Sequence, residues 1–80
     1  MAGTPVPPEV MKWAFMAAAI VTGLSAIGAA YAVAVVGGAA VGAVAEKPET
    51  AGRALVFVGL AEGIAIYGLI IAIMILSYLQ

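Results

Sequence analysis

The feature that most constrains this chain is a long absence of charge. From Trp13 to Ala45, 33 consecutive residues carry none, and from Ala54 to Gln80 only Glu62 interrupts a second such run. Since about 20 residues cross a hydrocarbon core of about 30 Å, each run can span a bilayer once and protrude. Apolar residues make up 66% of the 80, well above the roughly 45–50% of a soluble domain. Two core helices of a large soluble protein would each need a polar face, and neither run has one. Nor can two segments close a barrel, the one form in which strands survive in lipid. The pattern therefore predicts an all-α membrane protein with two transmembrane helices.

The seven charged residues are Glu9, Lys12, Glu46, Lys47, Glu49, Arg53 and Glu62, for a net charge of −1. They form no basic patch, so nucleic acid is not an expected partner. The chain has neither cysteine nor histidine, which removes disulfides, thiol nucleophiles and almost every transition-metal site; no metal and no cofactor is expected. The opening residues MAGTPVPPEVMK lack the basic and short apolar regions of a signal peptide and read as a mature N-terminus.

Pro7 or Pro8 suits the start of the first helix, where proline's missing N–H costs nothing, and Glu9 then faces the positive end of the helix dipole. Residues 46–50, Glu-Lys-Pro-Glu-Thr, hold three of the seven charges and a proline that cannot continue a helix. So short a connection makes the helices antiparallel neighbours. The expected layout is one hairpin over 1–80: an inner transmembrane helix over 8–45, a polar turn over 46–50 and an outer transmembrane helix over 51–80. Lys47 and Arg53 at the turn outnumber Lys12 at the termini, which points the turn to the cytoplasmic side of the cell membrane.

The two spans differ in kind. Of the 32 residues from Ala14 to Ala45, 18 are Gly or Ala, whereas the second span is rich in Leu, Ile, Val, Phe, Met and Tyr. Small residues let backbones approach where lipid supplies no drive for association, and they recur at every fourth position through Ala26, Ala30, Ala34, Gly38 and Gly42. These five are the expected helix-packing residues. Others, including Gly23, Gly28, Ala29, Ala32 and Gly37, put small groups on further faces. The first helix is thus expected to touch both its own partner and adjacent copies, inside a two-layered homomeric ring. The plainer alternative is that small residues are common in any membrane span.

Glu62 is the one acid within a span. Burying such a group costs about 2.5–3.5 kcal/mol on insertion scales, and intramembrane acids are functional by default. It lies nine residues beyond Arg53, about 13 Å along a helix, and no Lys, Arg or His lies within either span to pair with it. Facing lipid, an unpaired carboxyl is stable only as the neutral acid, so it must load and unload where water or a cation reaches it. A carboxylic acid kept for a helix-to-helix hydrogen bond is the structural alternative, although glutamine would serve that purpose. No nucleophile, metal cluster or phosphate loop accompanies it, so a catalytic role is not expected.

At these residues the sequence resembles a known family. Val41-Gly42-Ala43-Val44-Ala45-Glu46-Lys47-Pro48-Glu49, followed by Leu60-Ala61-Glu62-Gly63-Ile64-Ala65-Ile66-Tyr67-Gly68-Leu69, is similar to the two-helix proteolipid (c or K) subunit of archaeal-type (A-type or V/A-type) rotary ATP synthases and ATPases. The resemblance runs from about Gly23 to Leu79. It implies a non-catalytic rotor subunit in a homomeric ring, turning against a stator subunit whose arginine meets the glutamate, with the turn docked on central-stalk subunits. It also implies that Glu62 is the ion carrier and Tyr67 part of its binding site. Glu46, Lys47 and Glu49 are then the expected stalk contacts.

The family contains proton and sodium rings. Sodium-binding members resemble Leu-Pro-Glu-Thr-Gln around the glutamate, with a further glutamine in the first helix; here Ala61, Gly63 and Ile64 replace Pro, Thr and Gln, and the first span has no glutamine. A hard cation needs several oxygen ligands. Reflection through the turn puts Tyr31 near the depth of Glu62, so the ion-binding set is Glu62, Tyr67 and Tyr31, and the expected ion is H+ with Na+ as the alternative. Two other readings stay open: a small pore-forming or scaffold hairpin, and a transporter of the small multidrug type, which normally has four spans per chain.

Overall fold

In a computed structural model the structure describes residues 5–80; residues 1–4, part of the stretch read as lacking a signal peptide, lie outside the described residues. The chain is an antiparallel hairpin of two helices, α1 over Pro8–Glu46 and α2 over Ala51–Ser77, joined by a 3-10 turn over Pro48–Thr50. The molecule measures 58 × 19 × 8 Å, and its long dimension is that of α1 at 1.5 Å per residue.

Pro7 stands extended before the first turn of α1, and its carbonyl accepts the Met11 N–H at 3.0 Å. At this end Glu9 accepts from the Trp13 indole at 3.2 Å and pairs with Lys12 at 3.4 Å, and the Lys12 ammonium stands 5.4 Å from the Trp13 ring centre. Tyr78 caps the end of α2, so both helices carry an aromatic residue at the terminal end, as at a membrane–water boundary.

The connection is tighter than a five-residue turn. Glu46 remains helical, and Lys47 alone lies outside regular structure, with φ −134° and ψ 88°. Its N–H still reaches the Ala43 carbonyl at 2.8 Å, while its carbonyl accepts both the Thr50 N–H at 2.9 Å and the Thr50 hydroxyl at 2.7 Å. Pro48 fits because it opens the 3-10 turn, where no donor is missed.

The seam between the helices is made of small groups. On α2 the less exposed positions include Ala54, Val58, Ala61, Ala65, Gly68 and Ala72, alternating four and three residues apart. On α1 they include Ala14, Ala18, Val21, Ser25, Ala29 and Ala32. This spacing belongs to helices that pack at a shallow left-handed angle. The buried set is Ala18, Ala29, Ala61, Gly68 and Ala72, and among the described residues no large side chain is fully buried.

Large apolar side chains point outward instead: Leu24, Ile27, Val41, Leu55 and Leu60 are each at least 66% exposed. Both helices are long and apolar enough to cross a membrane, and their most hydrophobic windows are only 6% and 17% buried within the hairpin. The core helix of a soluble protein would be mostly covered, and a soluble chain rarely exposes so continuous an apolar surface.

Candidate ion-carrying site

Glu62 follows the buried Ala61, and one residue turns an α-helix by about 100°. The carboxylate therefore leaves the seam and stands exposed on a flank of the hairpin. Glycine lies on either side of it: a Cβ at Gly59 or at Gly63 would meet nothing within 4 Å. Among the described residues Glu62 has neither a hydrogen bond nor an ion pair. Nor do the described residues include a group of three or more acidic, histidine or cysteine side chains that could hold a metal ion.

The register of the hairpin gives its depth. Gly68 packs between Val21 and Ser25; counting six residues back along α2 and six forward along the antiparallel α1 sets Glu62 opposite about Ala29, with Tyr31 half a turn further on. The expected match in depth between Glu62 and Tyr31 thus holds to within about two residues. Their directions do not converge within one hairpin, however. Tyr31 is 70% exposed and Tyr67 69%, and neither hydroxyl bonds Glu62 in this hairpin. Five residues turn α2 by about 140° net, so Tyr67 projects from a different flank.

The five-residue row of Ala26, Ala30, Ala34, Gly38 and Gly42 is exposed throughout, and Cβ atoms at Gly38 and Gly42 would meet nothing within 4 Å. Residues four apart advance by about 40° on a helix, so the row winds by about 160° around the part of α1 turned away from α2. The seam between the helices uses other small residues. Glu46, Lys47 and Glu49 are all exposed at the turn.

What sequence reading missed lies in α2. Its composition is bulky, yet Ala61, Ala65, Gly68 and Ala72 supply most of its inner face. The alternating four- and three-residue spacing was the available signal.

A pair of membrane-length helices joined by a tight turn, with one unpaired acid within the second span, defines a two-helix membrane proteolipid. Residues 16–75 match the model of the family of ATP synthase C subunits, and the chain belongs to that family. It is also 39% identical over 67 residues to the c'' proteolipid of the V-type proton ATPase of Saccharomyces cerevisiae, an alignment covering 84% of this chain and 32% of that protein. The chain spans about a third of the length of that curated relative. No solved structure matches it. The chain is thus a membrane proteolipid of the ATP synthase C kind, a non-catalytic component of a family whose hairpins assemble into rings.

Proposed function

We propose that this chain is a rotor subunit that carries protons across the cell membrane by reversible protonation of Glu62, one copy after another, as a ring of identical hairpins turns. The supporting observation is the placement of Glu62: the one acid within a span, unpaired, on an open flank between two bare glycines. A carboxyl so placed can be neutral against lipid and be met from outside by a charged partner, which we assign to an arginine on a stator subunit. Around the ring, the flank of one hairpin faces the next. Tyr67 of one copy, or Tyr31, is then available to the Glu62 of a neighbour, since neither is engaged within its own hairpin.

The choice of proton follows from the thin supply of oxygen. Besides the carboxylate, side-chain oxygen near this depth comes from Tyr31 and, one to two turns away, from Ser25, Tyr67 and Thr22, and the Thr22 hydroxyl already donates to the Ala18 carbonyl at 2.8 Å. A cation that must replace its hydration shell needs more. The exposed small-residue row on α1 fits contact with adjacent copies, leaving the bulky outer face of α2 to lipid. Exposed Glu46, Lys47 and Glu49, repeated around the ring, form an array of mixed sign suited to central-stalk subunits, and Lys47 and Arg53 favour a cytoplasmic position for the turn.

Carbodiimide modification of Glu62 in the assembled complex tests the ion directly. With protons as the carried ion, labelling falls as pH rises and is indifferent to sodium at constant ionic strength. Protection by sodium at neutral pH would replace the proton by sodium in the same ring.

A further inference from the structure

The seam between α1 and α2 is lined mostly by small side chains, with Val21 and Val58 among them, and a surface of small groups specifies stagger poorly because successive turns look alike. Of the nine glycines in the described residues, Gly68 is the one whose Cβ would collide with the opposite helix: it would overlap the Ser25 hydroxyl and its Cβ, and stand 3.3 Å from the Val21 carbonyl oxygen. At eight positions a Cβ meets nothing or touches only a valine of its own helix. The Ser25 side chain fills the space that a side chain at position 68 would take.

This fit is specific for register. A slip of one helical turn in either direction would bring Ser25 against Ala65 or Ala72, where a methyl group already occupies the notch. The connection at Lys47 ties the helices at one end, but Gly68 lies 17 residues beyond Ala51, about 25 Å away along α2. A second anchor at that distance fixes stagger and tilt over the stretch between them, and Glu62 lies within it, six residues from Gly68.

We infer that Ser25 and Gly68 form an interlock that sets the level and direction of Glu62 against α1, which makes both of them positioning residues for ion carriage. The inference rests on Glu62 being the carrier. Overfilling a packed contact forces backbone displacement, and here the displacement is carried to the carboxylate.

The test exchanges the notch between helices. Gly68→Ala, Ser25→Gly and the double variant are each compared with the parent in the complete ATPase complex in native membranes. Three properties are measured: ring recovery, ATP-driven ion transport per ring, and the pH profile of carbodiimide labelling of Glu62. Gly68→Ala is expected to lower transport roughly tenfold or more, as small misplacements of a reacting group do, and to shift the labelling profile. Ser25→Gly empties the notch and is expected to lower transport and shift the profile in the same direction, by less than Gly68→Ala. The double variant, with room restored opposite the new methyl, recovers both transport and profile. Should Gly68→Ala fail to assemble, recovery of rings and transport in the double variant supports the interlock equally. Wild-type transport and labelling in Gly68→Ala, or a double variant as defective as the single, overturns it. Transport that survives Glu62→Gln overturns the carrier reading instead; rescue of ring recovery by the exchange then still reports on the interlock.

Discussion

The two helices use small residues in opposite ways. In α1, glycine and alanine make up much of the surface, and the regular row from Ala26 to Gly42 is left uncovered by α2. In α2 small groups at Ala61, Ala65, Gly68 and Ala72 are gathered on the seam, while Leu55, Phe57, Leu60, Ile66 and Ile70 stand exposed. A helix that is small all round can be approached from all round, whereas α2 offers close approach along its seam and, beside Glu62, at Gly59 and Gly63, and is bulky elsewhere. The contrast teaches that where small residues lie on a membrane helix decides which of its faces admit close approach, more than how many there are.

The sharpest break in that comparison is chemical. Glu62→Gln preserves shape and hydrogen bonding while removing the titrating proton. Rings are expected to form at parental yield and ion-coupled ATP synthesis to vanish; coupled synthesis by purified mutant complex would remove Glu62 from the carrier role. Next in size come Ala34→Leu and Gly38→Leu, on the uncovered row of α1. Each raises hydrophobicity yet blocks close backbone approach, and intact rings are expected to be absent from detergent extracts. Normal rings from both would turn that face of α1 toward lipid or an open lumen.

A smaller effect is expected at the turn. One exposed charge is worth about 0–1 kcal/mol, but repetition multiplies the loss by the number of copies that touch the stalk. Glu49→Lys is expected to leave ATP hydrolysis intact and reduce ion pumping, and full coupling in a side-by-side assay would reduce the turn to a plain connection. The smallest change belongs to the outer face of α2. Ile70→Leu, on the side of the helix away from the seam, should alter ring stability by no more than about 0.5 kcal/mol; a marked drop in the temperature of ring dissociation would mean that this face meets protein.

The hairpin was legible because its determinants are local and additive: charge-free length, and a proline among charges. Glu62 was legible for the same reason, as a costly residue in a cheap background. The α2 seam was not. There the informative quantity is phase, since Ala61, Gly68 and Ala72 are scattered among bulky neighbours and averaging over the span hides them. The end of α1 lies one residue beyond the expected boundary, because Glu46 stays helical and the reversal is made by Lys47 together with the 3-10 turn Pro48–Thr50. The placement of Tyr31 and Tyr67 follows from angles that sequence supplies, but a partner for either depends on a second copy, which a single chain does not encode as a contact.

The brevity of the reversal at Lys47 has a mechanical side. With one residue outside regular structure, and its carbonyl held by both the amide and the hydroxyl of Thr50, the joint between α1 and α2 has little backbone freedom of its own. In the ring proposed above, a joint of this kind would make each hairpin move as one piece at its turn end, so that α1 and α2 are displaced together there.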